Sequence, residues 1–213
     1  AVAGPAARGI KVPPLPPLVA GWDIAGQVAV SGPFGGGFVD WFPQARGRFT
    51  LAAANALASG VAGAMTGAAV RAALRASGDR YRDPARLLEN TGRSLWLASE
   101  GEHAAPAVSV ALDGEASHLR LALAGPAIAA IFRTDGVRFR TTGLPALGQS
   151  PDRRYRVVKE ELATGEILIA LAPPRSLADN QEELRTLITN VHAEWKSGAA
   201  FSSEGIASLL RNA

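Results

Sequence analysis

Residues 37–76 read GFVDWFPQARGRFTLAAANALASGVAGAMTGAAVRAALRA, and their hydrophobic pattern changes period part-way along. GFVDWF (37–42) and GRFTLAAA (47–54) are apolar runs of strand length bounded by glycine and proline. From Gly60 to Ala76 the pattern becomes helical, with Val61, Met65, Ala68 and Ala72 on one spacing and Gly78 suited to stop the helix. Just upstream, WDIAGQVAV (22–30) alternates Ile24, Val28 and Val30 with smaller or polar residues. Three antiparallel strands followed by a helix are therefore expected.

Downstream, Asp83 is a natural N-cap and Pro84 a natural first-turn residue for a second helix carrying Leu88, Leu95 and Trp96 inward. Val108, Val110 and Leu112, the turn at Asp113-Gly114, and Leu119, Leu121 and Leu123 read as a hairpin. Thr134-Asp135-Gly136 separates two more strands, Ala127 to Phe132 and Val137 to Arg140, and Tyr155 to Val158 and Ile167 to Leu171 supply a further two. Leu184, Leu187, Ile188, Val191 and Trp195 mark a third helix. The segment SSEGIASLLRNA (202–213) fits a capped helical turn or a closing strand equally well.

At the other end, residues 1–20 hold five prolines and read as an extended, polyproline-like arm leading into one domain over residues 21–213. The chain opens at Ala1 without an initiator methionine or a signal-peptide layout, so a fragment or excised domain is expected. Its 213 residues are 47% hydrophobic and 19% charged, which excludes a disordered tail. With no cysteine, zinc ribbons, thiol nucleophiles and redox centres are out. His103, His118 and His192 are scattered and make no metal motif. The net charge is only +3, with arginine far outnumbering lysine, which is no argument for nucleic acid. Trp22, Trp41, Trp96 and Trp195 fall on apolar faces and read as core rather than a base-stacking platform. Phe49 to Val70 is uncharged and long enough to span a bilayer, yet its glycines, alanines, Asn55, Ser59 and Thr66 make it a poor insert. A buried strand followed by a buried helix accounts for it better, and a cytoplasmic location is expected.

Several short phrases, in order, resemble the SpoIIE-like branch of the PPM metal-dependent protein serine/threonine phosphatases. LPPLVAGWDIA (15–25) stands for the family's LPxLPGWEIA, and Gly35-Gly36-Gly37-Phe38-Val39-Asp40-Trp41-Phe42 for its GGDFYDWF. Ala54 to Val61 and the helix after it follow GDVSGHGVPAALL without a gap. Later, Leu123 to Pro126 corresponds to NAGH, Gly143 to Gly148 to GLPLG, and Gly165 to Asn180 to GDLLLLYTDGVTEARN. The resemblance implies an α+β fold: a PPM phosphatase-like sandwich of two antiparallel β-sheets flanked by α-helices. It also implies hydrolysis of phosphoserine or phosphothreonine by water held between two Mn²⁺ or Mg²⁺ ions, which need carboxylate oxygens.

At those carboxylate positions the match breaks. The first motif's aspartate is Gly37 and the second's is Asn55. The third motif's Thr-Asp-Gly is Ala172-Pro173-Pro174, and the C-terminal Asp-Asp pair aligns near Glu204 and Gly205. A neutral amide, two glycines and a proline offer little to a hard cation, so no metal cofactor is expected. Asp40 and Glu204 could form a residual site, although a lone Asp40 fits a solvent-facing strand residue or one bonding the next loop. Gly35-Gly36-Gly37 fits a glycine bend better than an anion cradle. Ser59 stands where the family has histidine, with no base nearby in sequence.

Arg71, Arg75, Arg80, Arg82 and Arg86 cluster around the first two helices, and Arg153, Arg154 and Arg156 follow later. They suit a phosphorylated or acidic partner, or else a solvated face with Asp79, Asp83 and Glu89 as counterions. If Arg71 and Arg75 are such a surface, replacing both with alanine leaves the melting temperature almost unchanged. The functional expectation is a catalytically degenerate phosphatase domain binding a protein partner, a phosphoprotein among the candidates, or regulating a larger chain in a bacterial signalling pathway. The alternatives are a weakly active phosphatase and a dimerising module, with no nucleic acid and no membrane insertion in any of them.

Overall fold

The computed structural model describes residues 12, 13, 15, 17–29, 35–44, 47–113 and 117–198. Its elements run β1 (Gly37–Gln44), β2 (Arg48–Asn55), α1 (Gly60–Gly78), α2 (Pro84–Ser99), β3 (Ala107–Leu112), β4 (His118–Ala124), β5 (Ile128–Arg133), β6 (Gly136–Thr141), β7 (Val158–Glu161), β8 (Ile167–Leu171), α3 (Arg175–Ala178) and α4 (Gln181–Lys196). One sheet has the order β1-β2-β3-β4-β7 and the other β6-β5-β8, with every pairing antiparallel.

Side-chain alternation sorts these strands into layers. Val108, Val110 and Leu112 of β3, with Leu119, Leu121 and Leu123 of β4, meet Ala129 and Ile131 of β5 between the sheets. On its other face the larger sheet offers mostly alanine (Ala52, Ala54, Ala107, Ala122, Ala124) to Val70 and Leu74 of α1 and Leu88 and Leu95 of α2. Ile128, Ala130 and Phe132 turn the other way and pack on Leu184, Ile188 and Val191 of α4. The result is a helix–sheet–sheet–helix sandwich, the expected fold class. Because both faces of β3 are covered, all six of its residues are buried. Each large side chain so buried contributes about 1.5–3 kcal/mol.

The second helix starts as its sequence predicts, Asp83 accepting the Ala85 and Arg86 N–H groups at 3.0 and 3.1 Å ahead of Pro84. Three local expectations change. The stretch 22–29 is not a strand; among the described residues its one ladder contact is an isolated Val19–Trp22 bridge. Trp22 and Ile24 dock instead into the layer between the sheets. Gly26 lies so close over Val39 and Trp41 that a Cβ there would be 2.6 Å from the Val39 side chain, so the segment covers β1 rather than pairing with its edge. Tyr155 to Val157 leads into β7 without pairing, with the Tyr155 amide bonded to Glu89 Oε1 and its hydroxyl donating to the Pro145 carbonyl.

On α1 the apolar spacing marked the wrong face. Val61 and Met65 are 58% and 68% exposed, and Ala68 and Ala72 are exposed too. The buried face is Gly63, Thr66, Gly67, Val70, Leu74 and Ser77. A Cβ on Gly67 would lie 2.4 Å from the Gly36 carbonyl oxygen, so the helix begins by packing its backbone against the entry to β1. Most of the proline-rich arm and all of residues 199–213 lie outside the described residues, Glu204 and Gly205 among them. Among the described residues no helix is long and apolar enough to cross a membrane.

Candidate functional site

Strand register brings Gly37 and Asn55 together at one end of the sandwich. Gly37 of β1 faces Asn55 of β2 directly, and one residue further in, Phe38, Ala54, Ala107 and Ala124 form the next row across β1 to β4. Residues 125–127 carry the chain into the second sheet, where Ile128 faces Leu171, two residues before Pro173. β8 in turn packs against β2 and β3.

Gly37 and Asn55 are close enough to share a ligand had both been acidic. A Cβ on Gly37 would sit 3.4 Å from Asn55 Cγ and Oδ1. The backbone beyond Asn55 is closed by hydrogen bonds to both sides: Asn55 N–H to the Pro106 carbonyl at 3.1 Å, Ala56 N–H to Gly36 at 3.2 Å and Leu57 N–H to Ala104 at 2.8 Å. Gly36 is buried in this knot, and a Cβ there would collide at 2.5 Å with Ala56 and with the Gly63 carbonyl. The glycine run is thus a close-packing point between β1 and α1. Pro174 caps the four-residue α3 where the aligned motif would turn beneath a metal. Among the described residues, Mn²⁺ or Mg²⁺ does not fit the aligned positions: an amide, a glycine and two prolines supply no carboxylate. Among the described residues no three His, Asp or Glu side chains gather at any one place.

Asp40 is the carboxylate nearest in sequence, and the structure takes it elsewhere. Gly37 and Asn55 share one face of the β1–β2 pair, whereas Asp40 points with Phe38 and Phe42 toward the helices. It is fully buried, not solvent-facing. Arg71 Nε donates to its Oδ2 at 2.9 Å, and Arg75 donates from Nε to Oδ2 and from Nη2 to Oδ1, both at 2.6 Å. Arg71 Nη2 reaches Oδ1 at 3.4 Å, and the Trp41 N–H adds a fifth bond at 2.9 Å. Burial pushes the Asp40 carboxyl up, but the hydrogen bonds from Arg75 and Arg71 outweigh it and hold the group below the usual carboxylate range. Arg75 is raised in turn, chiefly by its bond to Asp40. Arg71 and Arg75, separated by one helical turn, therefore clamp α1 onto β1. Nearby, Gln44 donates to the Gly78 carbonyl at 2.8 Å and extends the same seam.

The other candidates disperse. Ser59 is exposed at the start of α1 and makes no capping bond. His192 is buried against Phe132 and Trp195, with Nε2 on the Arg133 carbonyl, and His118 lies beside Glu161 on the surface. Asp83 caps α2 and Glu89 pairs with Arg86, so neither neutralises Arg71 or Arg75. Sequence reasoning missed one grouping outright and saw a second only in part, naming Arg86, Arg153 and Arg154 but neither Arg93 nor the cleft that joins them. A buried Glu160 on β7 is gripped by Arg140 and Arg138 of β6, tying the edges of the two sheets together. Arg86 and Arg93 of α2 face Arg153 and Arg154 across a surface cleft. The helical spacing of residues 86, 89, 90 and 93 was the available signal for the cleft.

No curated protein matches the chain by sequence. Solved structures match its fold. The PP2C phosphatase domain with a fragment of the regulatory domain of SpoIIE from Bacillus subtilis has a TM-score of 0.66 at 18% identity, over 83% of this chain and 52% of that one. The RsbU and RsbW domains of a Mycobacterium tuberculosis protein give 0.61 at 20% identity, over 86% and 53%. A serine/threonine phosphatase of S. agalactiae gives 0.66 at 12% identity, over 87% and 90%. The chain thus spans about half the length of the first two. The family described as Stage II sporulation protein E (SpoIIE) matches residues 45–172, more than half of the sequence. With its PP2C-like sandwich, this chain belongs to the SpoIIE family.

Proposed function

We propose that this domain is a pseudophosphatase, which recognises a protein partner in a bacterial signalling pathway without cleaving phosphate from it. The observation that carries the reading is the Gly37–Asn55 pair. These residues face each other at the strand ends, where a two-metal hydrolase needs carboxylates to lower the pKa of the bridging water and neutralise phosphoryl oxygens. An amide and a hydrogen atom stand there instead. Among the described residues no carboxylate beside this pair offsets the dehydration of Mg²⁺, which is reluctant even at good sites.

A weakly active enzyme built around Asp40 and Glu204 is the competing reading. The direction of Asp40 weighs against it: a carboxylate facing α1 and bonded to two guanidiniums is unavailable to a metal on the opposite face. The same bonds move the expected partner surface away from Arg71 and Arg75. The test is hydrolysis of a phosphoserine peptide and of an aryl phosphate with and without Mn²⁺, alongside calorimetry of Mn²⁺ binding. No turnover and no saturable binding at millimolar metal are expected. Metal-dependent turnover would overturn the proposal.

A further inference from the structure

Between α2 and the loop at residues 151–154 lies a cleft of about 390 Å³. Arg86, Arg93, Arg153 and Arg154 line it, against only two carboxylates, Glu89 and Asp152. Glu89 is engaged within the wall. Its Oε2 lies 3.0 Å from Arg86 Nη1 and 3.9 Å from Arg154 Nη1, and its Oε1 accepts the Tyr155 N–H. Among the described residues Arg93 and Arg153 have no ion-pair partner, and both are exposed at the cleft. Four guanidiniums from two separate segments therefore surround a concave space with two positive charges in excess.

We propose that this cleft binds the phosphorylated side chain of a protein segment. A phosphoserine or phosphothreonine brings a charge near −2 and three strong acceptor oxygens, which matches that excess. Guanidinium meets phosphate with two parallel hydrogen bonds, so Arg93 and Arg153 can hold one phosphoryl group from opposite walls. The Tyr81 ring, also in the lining, gives the flanking peptide an apolar surface to lie on. None of these residues belongs to the strand ends that carry Gly37, Asn55 and Pro173, so capture needs no metal. The inference rests on the reading of this domain as a binder rather than an enzyme.

The test uses the intact domain and fluorescein-labelled degenerate peptides centred on phosphoserine or on serine, read by anisotropy. Phosphoserine peptides should bind at least tenfold more tightly, with affinity falling as salt rises. R93Q/R153Q should lose about tenfold or more at unchanged melting temperature, because both side chains are exposed. Equal binding of the two peptide sets, or an unaffected R93Q/R153Q, overturns the proposal. So does binding of inorganic phosphate without any preference for phosphopeptides, which would make the ligand a free anion. A domain that ignores the peptides and also hydrolyses nothing loses the cleft but remains a pseudophosphatase. A domain that hydrolyses them with Mn²⁺ present loses the binder reading itself.

Discussion

Replacing Arg71 and Arg75 together with alanine should destabilise the domain strongly, the opposite of what their sequence context suggests. The change leaves Asp40, with no exposed surface, holding the Trp41 N–H bond and no counterion. Breaking a buried ion pair by removing one side costs about 3–5 kcal/mol. The guanidiniums are 20% and 50% exposed, so water can enter where they were, and the low end, about 3 kcal/mol, applies. For a chain of this size each kcal/mol moves Tm by about 2–4 °C, giving a fall of roughly 6–12 °C. The sign of the pH dependence provides a second readout. In the native domain the Asp40 pKa is lowered, so its contribution is complete above the unfolded value near 3.8 and is lost as pH falls through the folded one. In the variant only burial remains, which raises the pKa; the penalty is present at neutral pH and is relieved as pH falls through the raised value. The two melting curves should therefore converge on acidification toward pH ~4. Adding Asp40→Asn to the double variant should recover most of the loss, because the uncompensated charge is gone. Thermal melts by circular dichroism from pH 4 to 8 check all three points. A double variant that melts within about 2 °C of the native domain at pH 7, or whose deficit grows in acid, refutes the clamp.

Gly37→Asp with Asn55→Asp should create weak Mn²⁺ affinity by calorimetry without turnover, since the two side chains would meet across one register pair while Pro173 still supplies nothing; unchanged affinity in a folded double variant shows that these positions do not converge. Gly67→Ala should cost about 1–3 kcal/mol in urea unfolding, as its Cβ would strike the Gly36 carbonyl at 2.4 Å, whereas Gly143→Ala, with open space around it, should be close to neutral. Tyr155→Phe should lose about 1 kcal/mol with the bond to the Pro145 carbonyl. In the native domain spectrophotometric titration should find that tyrosine ionising near 12, pushed up chiefly by burial.

Strand periodicity was legible wherever one strand face met another apolar face. The β3–β4 hairpin and the β5–β6 pair follow their Val, Leu and Ile spacing to within a residue or two. Reading failed where contact is made by backbone or by charge. The first half of α1 buries Gly63, Thr66 and Gly67 because close approach to Gly36 selects small residues, so the larger apolar side chains there, Val61 and Met65, mark the outside, and only further along do Val70 and Leu74 turn apolar bulk inward. Residues 22–30 alternate like a strand, yet alternation cannot distinguish pairing with an edge from lying across a face. The burial of Asp40 was hidden for a related reason. Its partners come 31 and 35 residues later, and only the strand–helix packing shows that a turn of α1 lies over that point of β1.

On the proposal that this domain holds no metal, the same geometry explains how the fold stands without one. Gly37 and Asn55 occupy strand ends, outside the three packed apolar layers, and the backbone there is already closed by hydrogen bonds from Asn55, Ala56 and Leu57. A metal would add cross-links at one rim only. This chain supplies cross-links elsewhere, each made of one buried carboxylate and two arginines: Asp40 with Arg71 and Arg75 fastens α1 to the first sheet, and Glu160 with Arg138 and Arg140 fastens the first sheet to the second. If these clamps hold the layers together, melting should be indifferent to chelator but sensitive to Glu160→Gln, which leaves two guanidiniums facing a neutral amide. The guanidiniums are 47% and 33% exposed, so the loss should be about 1–2 kcal/mol, the cost of a weakened charged hydrogen bond rather than of a stranded buried charge. A melting temperature that falls on adding EDTA, or one that ignores Glu160→Gln, would place the fastening of the layers elsewhere.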